Sequence, residues 1–113
     1  MEKRMRTSLL LSFYGPLLTQ RQREMLRMHE EDDLSLSEIA QEAGVTRQAA
    51  HDAIRRGEEQ LFTFEEKLGL AARWERICGG LKAISQALCA EDIKLAAEIT
   101  EQLLREEEAE DGI

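Results

Sequence analysis

Apolar positions along this chain recur at intervals of three and four, the spacing that lines one face of an α-helix, and no run alternates with period two. A first helix is predicted over Glu2 to Phe13, with Met1, Met5, Leu9, Leu10 and Phe13 as its apolar stripe. Tyr14-Gly15-Pro16 ends it, because Gly accepts a left-handed turn and Pro cannot continue a helix. Thr19 with Gln22 fits a capping box, which starts a second helix over Gln20 to His29 with Leu18, Met25, Leu26, His29 and part of Gln22 inward. Glu30-Glu31-Asp32-Asp33 reads as an exposed acidic turn. Ser35 with Glu38 is a second box, opening a third helix from Leu36 to Ala43 that turns Ile39 and Ala40 inward and closes on Gly44.

Val45 anchors the turn that follows, and Thr46 caps a fourth helix. Ala49, Ala50, Ala53 and Ile54 form its inward side, and the pattern continues through Leu61, Phe62, Phe64 and Leu68 to Gly69. From there Leu70, Trp74, Ile77, Leu81, Ile84 and Leu88 follow each other at spacings of 4, 3, 4, 3 and 4, a heptad seam of the kind that mediates dimerisation. Gly79-Gly80 interrupts its helix propensity; the pair is read as letting another helix come close, with a bend as the alternative. Cys89 to Asp92 reads as a turn, with Asp92 capping a last helix whose apolar face is Ile93, Ala96, Ala97, Ile99, Leu103 and Leu104. The tail from Glu106 has nothing apolar to bury and is expected to fray.

The fold class expected is therefore all-α: a helix-turn-helix domain over 1–68, then a helical hairpin over 69–113 that serves as a coiled-coil dimerisation element. The 113 residues suffice for a small domain with such an extension.

Charge complicates the picture. The net −8 is uneven: +4 over residues 1–28, −7 over 29–68 and −5 over 69–113. An acidic chain resists non-specific nucleic-acid binding, so any such contact must come from a local basic face. Cys78 and Cys89 read as two small apolar side chains of a reducing compartment, with an oxidised pair or an interchain disulfide as the alternative, and no CxxC or Cys/His spacing offers zinc a site. The N-terminal apolar run is too short and too interrupted for a signal peptide, and nothing approaches a membrane span. A cytoplasmic protein without membrane insertion is expected. No Gly-rich phosphate loop, Ser/His/Asp or Cys/His grouping is present, so neither an enzyme nor a cofactor is expected.

The candidate chemistry lies in LSLSEIAQEAGVTRQAAHDAIRR, where a Gly turn and a hydroxyl-capped second helix have helix-turn-helix spacing. Thr46, Arg47, Gln48 and His51 occupy its first turns, where base edges are met; Arg suits guanine and Gln suits adenine. Arg55 and Arg56 follow at phosphate reach. Arg21, Arg23 and Arg27 line the outer face of the preceding helix, and Lys3, Arg4 and Arg6 join them if the first helix packs nearby. Asp52, Glu58 and Glu59 share the recognition helix and oppose phosphates. Protein docking is thus the competing use of the same scaffold.

Three segments in fixed order carry a resemblance: FYGPLLTQRQ at 13–22, DDLSLSEIAQEAGVTRQAAHDAIRR at 32–56 and FEEKLGL at 64–70. Together they resemble the YlxM family of small bacterial helix-turn-helix proteins, and the middle segment is also similar to region 4 of sigma factors. The resemblance implies a homodimeric, all-helical regulatory or accessory protein of the signal recognition particle pathway, encoded beside the targeting GTPase. It leaves two partners to weigh: nucleic acid, as DNA or signal recognition particle RNA, and the targeting GTPase itself.

Overall fold

The computed structural model describes the backbone of residues 3–110 and the side chains of residues 6–109. Among the described residues there are six α-helices and no strand: α1 Lys3–Tyr14, α2 Gln20–Glu30, α3 Leu36–Ala43, α4 Arg47–Leu68, α5 Leu70–Cys89 and α6 Ile93–Glu110. A single 3-10 turn, Gly15–Leu17, separates α1 from α2. The chain divides into two compact units, Met1–Ala71 and Ala72–Ile113, so the first two residues of α5 belong with the first unit.

Both capping boxes close. The Gln22 N–H donates to Thr19 Oγ1 at 3.2 Å and the Thr19 N–H to Gln22 Oε1 at 3.3 Å. Glu38 and Ser35 exchange the same pair at 3.1 and 3.0 Å. Each box satisfies two N–H groups that a helix start leaves without an internal partner. The Ser35 backbone N–H, followed by its hydroxyl, holds the Glu38 carboxyl below its ordinary range. Gly44 ends α3 at φ 69° and Gly69 ends α4 at φ 63°, the left-handed conformation in which a Cβ is disfavoured.

In the first unit α4 packs against α1, α2 and α3. Leu10, Leu26, Ile39, Ala50 and Leu61 are fully out of water around it, and each large side chain among them contributes about 1.5–3 kcal/mol. The buried face of α1 is Thr7, Leu10, Leu11 and Tyr14, which corrects the expected stripe: Leu9 and Phe13 flank this face and are only half-buried. Tyr14 sets that rotation, because its ring packs against Phe64 at 5.9 Å and its hydroxyl reaches Glu65 at 2.6 Å. Met1 and the Met5 side chain lie outside the described residues. Two further expectations on α4 are corrected. Ala49 and Leu68 are exposed, Ala49 because it lines an open groove facing α2 and Leu68 because it lies in the last turn of α4.

Gly57 is buried in the middle of α4, and a Cβ there would meet Leu26 Cδ1 at 2.7 Å. The missing side chain is what lets α2 approach this closely.

The second unit is a hairpin of α5 and α6. Asp92 Oδ1 caps α6 by accepting from the Leu95 N–H at 3.1 Å. Ala87 and Ala96 are its buried residues, and a Cβ on Gly80 would fall 2.5 Å from Leu103 Cδ1. Gly80, Ala83 and Ala87 thus form a stripe of small residues that receives α6, while α5 stays helical through Gly79-Gly80. The heptad seam lies beside that stripe instead of under α6. Ile77 and Ile84 are half-covered, whereas Trp74, Leu81 and Leu88 are 47, 56 and 54% exposed. On α6, Ile93, Ala97 and Leu104 are likewise exposed, so only part of the expected apolar face packs.

The acidic end does not fray over its described length. It remains helical to Glu110, because Glu107 is held by Arg73 and Arg76: Arg73 Nε donates to Glu107 Oε2 and Arg76 Nη2 to Glu107 Oε1, both at 2.7 Å. Charge pairing replaces the apolar contacts that the tail lacks.

Candidate nucleic-acid interface

The tight turn between α3 and α4 brings the candidate side chains to the surface in order. The Val45 N–H donates to Ala40 O at 3.0 Å, which folds the chain back at Gly44 and half-buries Val45. Thr46 Oγ1 accepts from the Ala49 N–H at 3.0 Å, so the oxygen is used in capping and its O–H is left to donate outward. Arg47, Gln48, His51, Arg55 and Arg56 are all exposed on α4.

They do not form one uniform face. The outward ridge of α4 is Gln48, Asp52, Arg55 and Glu59, and it is braced internally. Gln48 Nε2 donates to Asp52 Oδ1 at 3.1 Å, and Arg55 Nε donates to Glu59 Oε1 at 3.3 Å. Exposed pairs one helical turn apart are worth about 0.3–0.5 kcal/mol, so a phosphate or a base edge displaces either of them at little cost.

On one flank of this ridge, Arg56 of α4 and Arg21 of α2 line an open groove of about 340 Å³ with Thr19, Gln22 and Asp52. On the other flank His51 lines a smaller cavity of about 200 Å³ with Arg55, Glu58 and, from α2, His29. Among the described residues Arg21, Arg47 and Arg56 make no ion pair. Arg23 is half-buried, with its aliphatic stem beside Gly15, so it stands apart from the exposed Arg21 and Arg27. Arg6 is half-buried and has an interaction of its own, and the side chains of Lys3 and Arg4 lie outside the described residues. The basic surface is therefore narrower than the count of arginines implies.

Sequence reasoning missed the company that His51 keeps. His29 and Glu58 come from different helices and reach its cavity only through the α2–α4 packing. The one available signal was the inward placement of His29 on α2.

Over residues 1–103 the chain matches the family model UPF0122, "Putative helix-turn-helix protein, YlxM / p13 like". The chain belongs to this family. Among curated UPF0122 proteins, STH1464 of Symbiobacterium thermophilum is 45% identical over 91 residues, covering 80% of this chain and 85% of its own. GK1195 of Geobacillus kaustophilus is 43% identical over 104 residues, covering 89% and 94%. BH2485 of Halalkalibacterium halodurans is 41% identical over 88 residues, covering 78% and 81%. The UPF0122 match extends beyond the helix-turn-helix through α5 and into α6, so both units are family features. Among the described residues no helix of this UPF0122 member is long and apolar enough to cross a membrane.

Proposed function

We propose that this UPF0122 protein binds nucleic acid through the first turns of α4, as a cytoplasmic regulatory or accessory factor. The observation that carries the reading is the arrangement around the α4 start: a capped, exposed first turn offers Arg47 and Gln48, while Arg21 and Arg56 flank one groove beside it. Arg47 and Gln48 would read base edges, with Thr46, His51 and Arg55 near them; Arg21, Arg23 and Arg56 would meet phosphates. The YlxM resemblance supports signal recognition particle RNA and duplex DNA as the two targets to test first.

Exposure of Trp74, Leu81 and Leu88 along the α5 seam supports a homodimer formed through Leu70, Trp74, Ile77, Leu81, Ile84 and Leu88. Two copies would present two α4 helices. A separation near ~34 Å suits half-sites on successive turns of duplex DNA.

Anisotropy titration of labelled duplex DNA and signal recognition particle RNA, at two salt concentrations, tests the reading. Binding at low salt should fall with a log–log slope of roughly −3 to −5 if four to six charges meet phosphates. Replacing Arg47 and Arg56 together by Ala should weaken it at least ~10-fold. Binding unchanged in that double variant rejects this interface.

One observation favours a second reading, docking onto the targeting GTPase. The outward ridge of α4 carries Asp52 and Glu59, each already engaged with its neighbour, and so offers a partner protein mixed charge. A pull-down of the GTPase that weakens as salt rises, with no nucleic-acid binding, selects this alternative.

A further inference from the structure

We propose that His29, Glu30 and Glu58 form a binding site for a divalent transition-metal ion of the zinc type. One ring nitrogen and two carboxylate oxygens from these residues lie within 4.8 Å of one another. His29 Nδ1 and Glu30 Oε1 are only 3.1 Å apart. His29 and Glu30 end α2, whereas Glu58 sits midway along α4, so the set exists only because those helices pack together.

The donor chemistry narrows the ion. A ring nitrogen beside carboxylate oxygens suits Zn²⁺, Co²⁺ or Ni²⁺, whereas Mg²⁺ and Ca²⁺ favour oxygen alone. Zinc bonds of ~2.0–2.2 Å place tetrahedral ligands roughly 3.3 Å apart.

The surroundings fit as well. The Glu30 side chain, expected in an exposed acidic turn, instead ends α2 and is 3% exposed, so an ion held beside it is shielded from water on that side. The remaining side of the site opens on the 200 Å³ cavity lined by His29, His51, Arg55 and Glu58, which gives the ion an entry path and a position for a fourth ligand.

The test uses the full chain with Cys78→Ser and Cys89→Ser, which removes both thiols as competing ligands. Zn²⁺ is titrated calorimetrically, and Co²⁺ is followed by its visible absorption and displaced by Zn²⁺. One ion per chain is expected, together with a melting temperature that rises with Zn²⁺. His29→Ala and Glu58→Gln, each checked for native helicity by circular dichroism, should each weaken binding at least roughly 10-fold. Saturable binding lost in the thiol-free chain, or unchanged in both ligand variants, overturns the site.

Discussion

The Tyr14 hydroxyl and the Glu65 carboxylate, 51 positions apart in sequence, together cap the start of α5. Tyr14 donates to Glu65 Oε1 at 2.6 Å, the Leu70 N–H donates to Tyr14 Oη at 3.0 Å, and the Ala71 N–H donates to Glu65 Oε1 at 3.0 Å. The residue before α5 is Gly69, which has no side chain to cap with, so two other helices supply the acceptors. Burial first, and then the bond to Glu65, raises the Tyr14 pKa above its ordinary 10.0. This contact also joins two of the segments that carry the family resemblance, FYGPLLT and FEEKLGL.

Tyr14→Phe should therefore destabilise the first unit. It removes a donor to Glu65 and strands the part-buried Leu70 N–H, a loss of about 1–3 kcal/mol. For a domain of this size that lowers the melting temperature by roughly 4–8 °C per kcal/mol. Thermal unfolding followed by circular dichroism reads it, and an unchanged midpoint argues against the cap.

Adjacent glycines in α5 should respond with opposite signs. A Cβ on Gly79 meets nothing within 4 Å, so Gly79→Ala should stabilise the hairpin by about 0.5–1 kcal/mol through helix propensity. At Gly80 the added methyl would overlap Leu103, and Gly80→Ala should cost about 1–3 kcal/mol despite the same propensity gain. Parallel denaturant titrations decide it; equal shifts would contradict the packing of α6 on this stripe.

Acid should loosen the hairpin. The side-chain bond from Arg73, helped by Arg76, holds Glu107 below its ordinary 4.5. A carboxyl whose pKa is depressed by folding contributes stability that is present above 4.5 and lost as the pH falls through the lowered value. Hairpin stability should decline over that interval, and Glu107→Gln should flatten the decline. A pH profile identical in the two proteins would remove these ion pairs from the account.

If the proposed dimer forms through the α5 seam, Leu81→Glu with Leu88→Glu should yield monomers while leaving each hairpin folded, since both side chains are more than half exposed in the single chain. Sedimentation velocity with far-ultraviolet circular dichroism checks both halves of that statement. A double variant that still sediments as a dimer would move the interface away from the α5 seam.

What could be read from the sequence follows the range of the interactions. The starts of α2, α3, α4 and α6 were legible because Thr19, Ser35, Thr46 and Asp92 act on N–H groups three residues away. Exposure of Arg47, Gln48 and His51 was legible from the helical period. The braces Gln48–Asp52 and Arg55–Glu59 have the one-turn spacing at which such pairs form, so they too are written in the local sequence. Gly57 and Gly80 were opaque, because a glycine inside a helix declares its purpose only through a distant partner, here Leu26 and Leu103. The His29–Glu30–Glu58 cluster was hidden for the same reason, as was the pairing of Glu107 with Arg73 and Arg76 that keeps the acidic end helical.

Gly80 and Leu103 also make a statement about variation within the family. Their combined volume is one quantity shared between two helices, so growth at one position is compatible with the hairpin only if the other shrinks. Lineages that place alanine at the first position should carry a smaller side chain at the second. Gly80→Ala combined with Leu103→Val should then lose less stability than the two single changes added together, a size exchange readable in aligned sequences as a correlated pair.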